Sequence, residues 1–258
     1  MKTIKLITWN VNGIRASYDK GLRQFVEDQS ADILCLQETK AHRDQVEPVL
    51  QTLGYPHSYW SSAERKGYSG VATFCKQEPE KILTSIDKPA YTKEGRIVWT
   101  RHEHFDLYNI YFPNGGSGQE RHDFKQVFLK ELLAHLKFEM RKGREIVVVG
   151  DYNIAYLEHD VYDPVFLSRE SGFLPEEREW FQTFLQAGFV DAFRQFSPDT
   201  KNVYSWWSYR ELARPKNNGW RIDHICVTPA LVPHLRSCDV LMQQEGSDHC
   251  PVVATFEF

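Results

Sequence analysis

No stretch of this 258-residue chain is apolar for long enough to cross a bilayer, which takes roughly 20 consecutive residues. The opening Met1-Lys2-Thr3-Ile4-Lys5 is not followed by the apolar core of a secretion signal, so the expectation is a protein that stays in the cytoplasm. Cysteine is scarce: five residues, Cys35, Cys75, Cys226, Cys238 and Cys250, scattered and without a C-x-x-C pair. That excludes a disulfide framework and a cysteine-built zinc site, and makes Cys35 and Cys226 small core residues in a reducing compartment. No Pro/Gly/Ser-rich linker or charge run divides the chain and no fixed period repeats in it, so residues 1–258 read as a single domain. An excess of positive charge is missing as well: the net charge is -4 and the pI about 6.2. A phosphate-rich partner would have to be met by a local basic face, or through metal ions that bring the positive charge themselves.

What the chain does have is apolar matter, 41% of its residues with 14% aromatic and seven Trp, gathered into short runs that end on polar side chains. Ile146-Val147-Val148-Val149 shows no polar alternation, the signature of a strand covered on both faces, and runs through Gly150 into Asp151-Tyr152-Asn153. Ile4 to Trp9 stops at Asn10, Ile33 to Leu36 at Gln37-Glu38, and Leu107 to Phe112 at Pro113-Asn114. In α/β architectures ligands bind beyond strand ends, so these carboxylates and amides form one candidate polar cluster.

The spacing further predicts helices over 17–29, 41–53, 119–142 and 175–187. The long third helix carries Phe124, Val127, Phe128, Leu132, Leu136 and Met140 on one stripe and is closed by Gly143. Strands are predicted at 69–74, 96–100, 107–112, 204–209, 222–227 and 252–258. The short turns after Tyr68 require antiparallel pairing, so the sheet must be mixed; two mixed sheets stacked face to face, with helices outside, fit the strand count.

Two further groups join the strand ends: Asp223, inside an apolar strand, and the Asp248-His249 pair just before the last one. A buried Asp beside a His fixes its tautomer and raises its proton affinity, and Asp223 is expected to meet His249. Glu38, Asp151, Asp248, Asn10 and Asn153 are hard oxygen ligands, with no His/Cys grouping or H-E-x-x-H beside them. Such a set suits Mg²⁺ or Mn²⁺, and hence a phosphoester substrate.

Thr8-Trp9-Asn10-Val11-Asn12-Gly13, Leu36-Gln37-Glu38-Thr39-Lys40, Arg65-Lys66-Gly67-Tyr68-Ser69-Gly70, Tyr111-Phe112-Pro113-Asn114-Gly115, Gly150-Asp151-Tyr152-Asn153, Trp206-Trp207-Ser208-Tyr209, Gly219-Trp220-Arg221-Ile222-Asp223 and Ser247-Asp248-His249 follow one another along nearly the whole chain. In that order they resemble the exonuclease III type of abasic-site endonuclease. The resemblance implies a four-layered α/β/β/α sandwich and Mg²⁺-dependent (or Mn²⁺-dependent) hydrolysis of the phosphodiester 5′ to an abasic deoxyribose, leaving a 3′ hydroxyl. Activity as a 3′ to 5′ exonuclease or 3′-phosphodiesterase stands open beside it. The implied partner is double-stranded DNA with abasic sites or blocked 3′ ends, met by a monomer away from any membrane.

By the same resemblance Glu38 is the main metal ligand, with Asn10 and Asp248 near the metal, and Asp151 orients or deprotonates the attacking water with Asn153 beside it. His249, held by Asp223, contacts a phosphate oxygen, and Tyr111 and Asn114 complete the phosphate grip. Whether Asp151 or the Asp223–His249 pair takes the proton stays open, with Asp151 favoured. Arg15, Lys40, Arg65, Lys66, Arg210, Arg214, Lys216 and Arg221 lie in the loops where backbone contacts to DNA belong, together with Asn12 and Tyr68. Trp206, Trp220 and Ile222 match a small apolar pocket for a flipped, base-less sugar, whereas Trp207 reads as core. Three departures touch strand contacts rather than the metal: Tyr156 to Asp160, a loop from Val161 to Ser171 without the Asn residues common there, and His224 where Tyr is usual. Other phosphoesterases on the same scaffold, and a DNA-damage binder without catalysis, are the rival readings; retention of Glu38, Asp151 and His249 speaks against the second.

Overall fold

The computed structural model describes residues 2–86 and 89–258. Twelve strands form among the described residues: β1 (Thr3–Asn10), β2 (Ile33–Gln37), β3 (His57–Ser61), β4 (Val71–Cys75), β5 (Lys81–Leu83), β6 (Ile97–Arg101), β7 (Asp106–Tyr111), β8 (Ile146–Asp151), β9 (Val190–Asp191), β10 (Asp223–Val227), β11 (Leu235–Val240) and β12 (Val252–Glu257). They make two six-stranded sheets, ordered β11-β12-β1-β2-β4-β3 and β5-β6-β7-β8-β10-β9. Each sheet has one parallel pair near its middle, β1/β2 in the first and β7/β8 in the second, and the remaining pairs are antiparallel. Two stacked mixed sheets with helices outside are the architecture expected.

The continuous apolar run of β8 follows from this stacking. Val147 and Val149 enter the core between the sheets with Leu6, Leu107, Ile225 and Ala254, whereas Ile146 and Val148 face the helices Gln119–Arg141 and Pro175–Gln186 through Phe128, Leu132 and Phe181. Alternate residues are buried in different layers, so no position is free for a polar side chain. On the other sheet Ile7, Trp9, Leu34 and Leu36 pack outward against Phe25 and its helix Arg23–Gln29.

One polar group crosses the apolar middle. Gln37 Nε2 donates to Thr8 Oγ1 at 2.9 Å and to Asn109 Oδ1 at 2.7 Å, while Asn109 Nδ2 donates to the Ala72 carbonyl at 3.0 Å and to Thr73 Oγ1 at 3.1 Å. A buried network of this kind tolerates few alternative registers, because each displaced partner leaves a buried polar group unpaired. It fixes one sheet against the other close to the strand ends.

Several predicted elements differ. Residues 41–53 form a short 3₁₀ turn, Arg43–Gln45, and a helix only from Pro48 to Thr52; Pro48 supplies no N–H and holds Glu47 extended, so a helix can start there but not pass through. The helix expected over 17–29 is interrupted at Gly21, whose φ is 135°. On the long helix Val127 faces solvent, and Leu129 and Leu133 are buried beside the expected Phe128, Leu132 and Leu136. Residues 204–209 are not a strand: Trp206 makes single bridges to Trp220 and His249. Strands β3, β5, β9 and β11 lie outside the predicted set.

Candidate active site

The parallel pairs place the site. Asn10 closes β1 and Glu38 follows β2; Tyr111 closes β7 and Asp151 closes β8. Asp223 opens β10 directly opposite Asp151 in the antiparallel ladder, and His249 lies just before β12. Glu38 and Asn153 leave their strands with left-handed φ values of 49° and 51°, which turn the chain sharply enough to keep both side chains at the strand ends.

Asn10 Nδ2 donates to Glu38 Oε1 at 3.0 Å and Asp151 Oδ2 at 2.8 Å. Glu38 Oε2 pairs with Lys40 Nζ at 2.9 Å, and Lys40 reaches the Asn12 side-chain oxygen. Asp151 Oδ1 accepts the Asn153 N–H at 2.8 Å; Asn153 Nδ2 donates to the Phe112 carbonyl at 3.0 Å, and its Oδ1 accepts from Asn114 Nδ2 at 3.0 Å. His249 Nδ1 meets Asp223 Oδ2 at 2.8 Å, which leaves Nε2 toward Asp151 Oδ2 at 3.8 Å. Asp223 Oδ2 also accepts the Ser205 hydroxyl at 2.6 Å.

The charges of the site act on one another. Burial disfavours the charged imidazole of His249, but Asp223, Asp151 and Asp248 outweigh it and raise the ring to about 10. Burial lifts Asp151 to about 7, with the carboxylates of Asp223 and Glu38 adding to the rise and His249 opposing it. Glu38 is pushed up by burial but ends below the ordinary carboxylate range because Lys40 and Asn10 stabilise its anion. Tyr111 is held protonated by burial and by the Glu38 and Asp151 carboxylates, with the Arg96 guanidinium 4.8 Å from its ring centre. At neutral pH the centre therefore offers a cationic imidazole, a phenol donor, and a carboxylate whose proton affinity matches the surroundings.

Ligand atoms of Glu38, Asp151 and His249 lie within 4.8 Å of one another. A divalent cation fits the two carboxylates, which are hard, anionic and separated by one amide group. The other expected ligands, Asn10, Asn153 and Asp248, lie in the same hydrogen-bond network. Asn10 turns its NH₂ toward both carboxylates and its oxygen to the Asn12 N–H, and Asn153 Oδ1 accepts from Asn114. Asp248 lines the same cavity but is held by Asn12 Nδ2 at 2.9 Å and Trp206 Nε1 at 3.1 Å.

Glu38, Asp151, Asn153, Asp248 and His249 line a cavity of about 550 Å³. Trp206, Trp220, Ile222, Leu167 and Phe166 line the same cavity, as do Tyr111, Asn114 and Asn12, and the Trp206 ring lies 6.3 Å from that of His249. Trp206 and Trp220 meet edge to face, with ring centres 6.1 Å apart. Among the described residues no Lys or Arg lines the cavity; Arg15, Arg65, Lys66, Arg210 and Lys216 are exposed, and Tyr68 accepts from Arg96 Nη2 at 3.0 Å.

Two residues expected at the DNA are elsewhere. Arg221 is fully buried, bonded to Asp160 and Asp191 at 2.8 Å each, because Trp220 and Ile222 face the cavity and the residue between them must point the other way. Arg214 donates to the carbonyls of Met242, Gln244 and Ser247 and lies over the Trp207 ring at 4.6 Å, so it braces the segment before His249. Other residues of the site escaped sequence reasoning. Ser205 carried no signal. Buried Lys125 donates to the Asn153 carbonyl at 2.8 Å and pairs with Glu177 at 2.5 Å; a lysine beside Phe124 and near Phe128 on an apolar stripe was the available hint.

The model of the endonuclease/exonuclease/phosphatase family matches residues 7–249, and the chain belongs to that family. It is 41% identical over 250 residues to an exodeoxyribonuclease of Bacillus subtilis, covering 96% of this chain and 98% of that protein. Its identity to the DNA repair nuclease APEX1 of Danio rerio is 40% over 252 residues, 96% of this chain and 81% of the relative. The structure of an AP endonuclease from Archaeoglobus fulgidus superposes with a TM-score of 0.89 at 30% identity, covering 99% and 100% of the two chains.

Proposed function

We propose that this chain is a metal-dependent abasic-site endonuclease of DNA repair, which hydrolyses the phosphodiester 5′ to the lesion and leaves a 3′ hydroxyl. The observation that carries the reading is one cavity with two kinds of lining: a carboxylate–imidazole centre suited to a phosphodiester, and an apolar wall of Trp206, Trp220 and Ile222 beside it. A pocket of that kind offers no hydrogen-bonding edge to a base and accepts a bare deoxyribose, so selectivity comes from how cheaply the nucleotide is extruded.

In this reading Glu38 is the principal ligand of Mg²⁺ or Mn²⁺, with Asp151 beside it, and the bound ion would supply positive charge where the phosphoryl and leaving oxygens become more negative. Asp151 takes the proton of the attacking water while its other oxygen is fixed by the Asn153 N–H. The water oxygen forms a bond to phosphorus, the bond from phosphorus to O3′ breaks, and O3′ leaves as an alcohol with a proton from solvent. His249, kept cationic by Asp223, and the donors Tyr111 and Asn114 stabilise the charge that builds on the phosphoryl oxygens. Arg15, Lys40, Lys66, Tyr68, Arg210 and Lys216 serve the DNA backbone. One copy holds every residue of the centre, which supports a monomer as the working unit.

The name of the Danio rerio relative supports nuclease activity in DNA repair, that of the Bacillus subtilis relative supports exonuclease action, and a 3′-5′ exonuclease from Neisseria meningitidis of the same fold favours 3′ to 5′ action as a second activity. The test is an end-labelled duplex with a single tetrahydrofuran abasic analogue, run beside an intact duplex, each with Mg²⁺ and with EDTA. Cleavage is expected at the lesion and only with Mg²⁺; equal internal cleavage of the intact duplex refutes lesion selectivity, and cleavage in EDTA refutes the metal.

A further inference from the structure

The loop from Val161 to Ser171 carries the most exposed apolar pair in the described chain, Val165 at 84% and Phe166 at 71% exposure. Their position is not the accident of a slack loop. Val161 bridges Trp220, the Tyr162 N–H donates to the Gly219 carbonyl, and Leu167 is buried with Phe173, Trp220 and Ile222. The tip itself is closed by the Phe166 N–H on Asp163 Oδ1 at 2.9 Å, the Leu167 N–H on the Asp163 carbonyl at 3.0 Å, and the Ser168 hydroxyl on the Val165 carbonyl at 2.9 Å. A braced loop thus holds a Phe ring in water at the edge of the cavity that contains Asp151 and Trp220. The charge of the loop argues against a phosphate cradle: Asp163 and Glu170 outnumber Arg169. What remains is contact through a ring face, and nucleic-acid bases offer a sequence-independent partner for it.

We propose that Phe166 is a stacking residue that lies against the base next to the sugar held by Trp206, Trp220 and Ile222. It fills the space that the extruded nucleotide vacates and so contributes to lesion recognition. The assignment rests on the repair reading above, and its test separates the two. A duplex carrying a tetrahydrofuran site with 2-aminopurine as the adjacent base is titrated with the protein in EDTA, following anisotropy and 2-aminopurine emission, beside an intact duplex. Phe166→Ala should bind the lesion duplex about tenfold more weakly, the share of one base on one aromatic ring, and should lose the emission change given by the parent; Phe166→Trp should restore both. Parent-like affinity and emission in Phe166→Ala, or full rescue by Phe166→Leu, overturns stacking. A parent protein with no preference for the lesion duplex overturns the repair reading instead. Because Phe166 is mostly exposed, its truncation leaves the core intact.

Discussion

Replacing Asp223 by Asn keeps the size of the side chain and removes the charge that faces His249 Nδ1 across 2.8 Å. Burial, the largest influence on His249, opposes its charge, and Asp223 is the first of the carboxylates that reverse it. The rise from 6.5 to about 10 corresponds to roughly 5 kcal/mol in favour of the cation, at about 1.4 kcal/mol per pH unit. Without Asp223 the leading influence that opposes burial is gone, and the ring is expected to be neutral at pH 8. The new NH₂ group also has nowhere to go: Asp223 Oδ1 is buried and unpartnered, so an amide nitrogen there is left without an acceptor, and turned the other way it forces the proton of His249 onto Nε2. A charged donor to the phosphoryl oxygen becomes a neutral one. Losing one donor of an oxyanion-stabilising set costs on the order of 10²-fold in turnover, and that is the expected loss at pH 8. The sign with pH follows. In the parent the charge is present below about 10 and lost above it; in the variant it is lost as pH rises through the ordinary histidine range, about 6.5. The ratio of variant to parent should therefore recover toward pH 5.5. Single-turnover cleavage of the tetrahydrofuran duplex from pH 5.5 to 9 reads it. A variant within threefold of the parent at pH 8, or a ratio flat with pH, refutes the role given to the Asp223–His249 pair.

Asp160 provides a separate test in acid: although burial raises it, Arg221 and Arg194 hold it at about 2 against an ordinary 3.8. A depressed carboxylate contributes stability that is complete above 3.8 and disappears as pH falls toward 2, here about 2 kcal/mol. Urea unfolding should show that part of the parent's stability vanishing between pH 5 and 2, and an Asp160→Asn variant as stable as the parent at pH 7 contradicts the assignment. At Gly150 an added Cβ would lie 1.9 Å from the Ile110 carbonyl oxygen with φ at 137°. Gly150→Ala should lose about 4 kcal/mol or more, or fail to accumulate as soluble protein, whereas a loss under 1 kcal/mol in urea refutes so close an approach of β8 to β7.

Strand ends were legible because buried strands announce themselves as unbroken apolar runs, so the first carboxylate or amide after each run marks the edge of the core. Asn10, Glu38 and Asp151 were found in that way, and His249 as half of an Asp-His pair just before the last strand. The supporting residues were not, since their partners are far apart in sequence: Gln37 meets Asn109, Ser205 meets Asp223, and Lys125 meets Asn153 only after the sheets stack. Arg221 was misplaced for a related reason. Its charge suggested solvent, but a residue between Trp220 and Ile222 has its direction set by theirs, and Asp160 and Asp191 wait on the other side. The 41–53 segment carried helical spacing whose length was decided by Pro48 instead.

The two sheets contribute to the site in the same way, and the difference between them explains how the charges meet. Each has a parallel pair whose strands end on polar residues, plus an antiparallel strand that begins where they end. In the first sheet that strand, β12, flanks β1 and is preceded by His249; in the second it is β10, flanks β8 and starts with Asp223. The imidazole thus belongs to one sheet and its counter-ion to the other, and the Asn10 to Asp151 hydrogen bond crosses the same interface. Proton affinity at His249 consequently depends on how closely the sheets pack. The Gln37–Asn109 bond, which lies between the sheets just behind the strand ends, fixes that spacing from within the core.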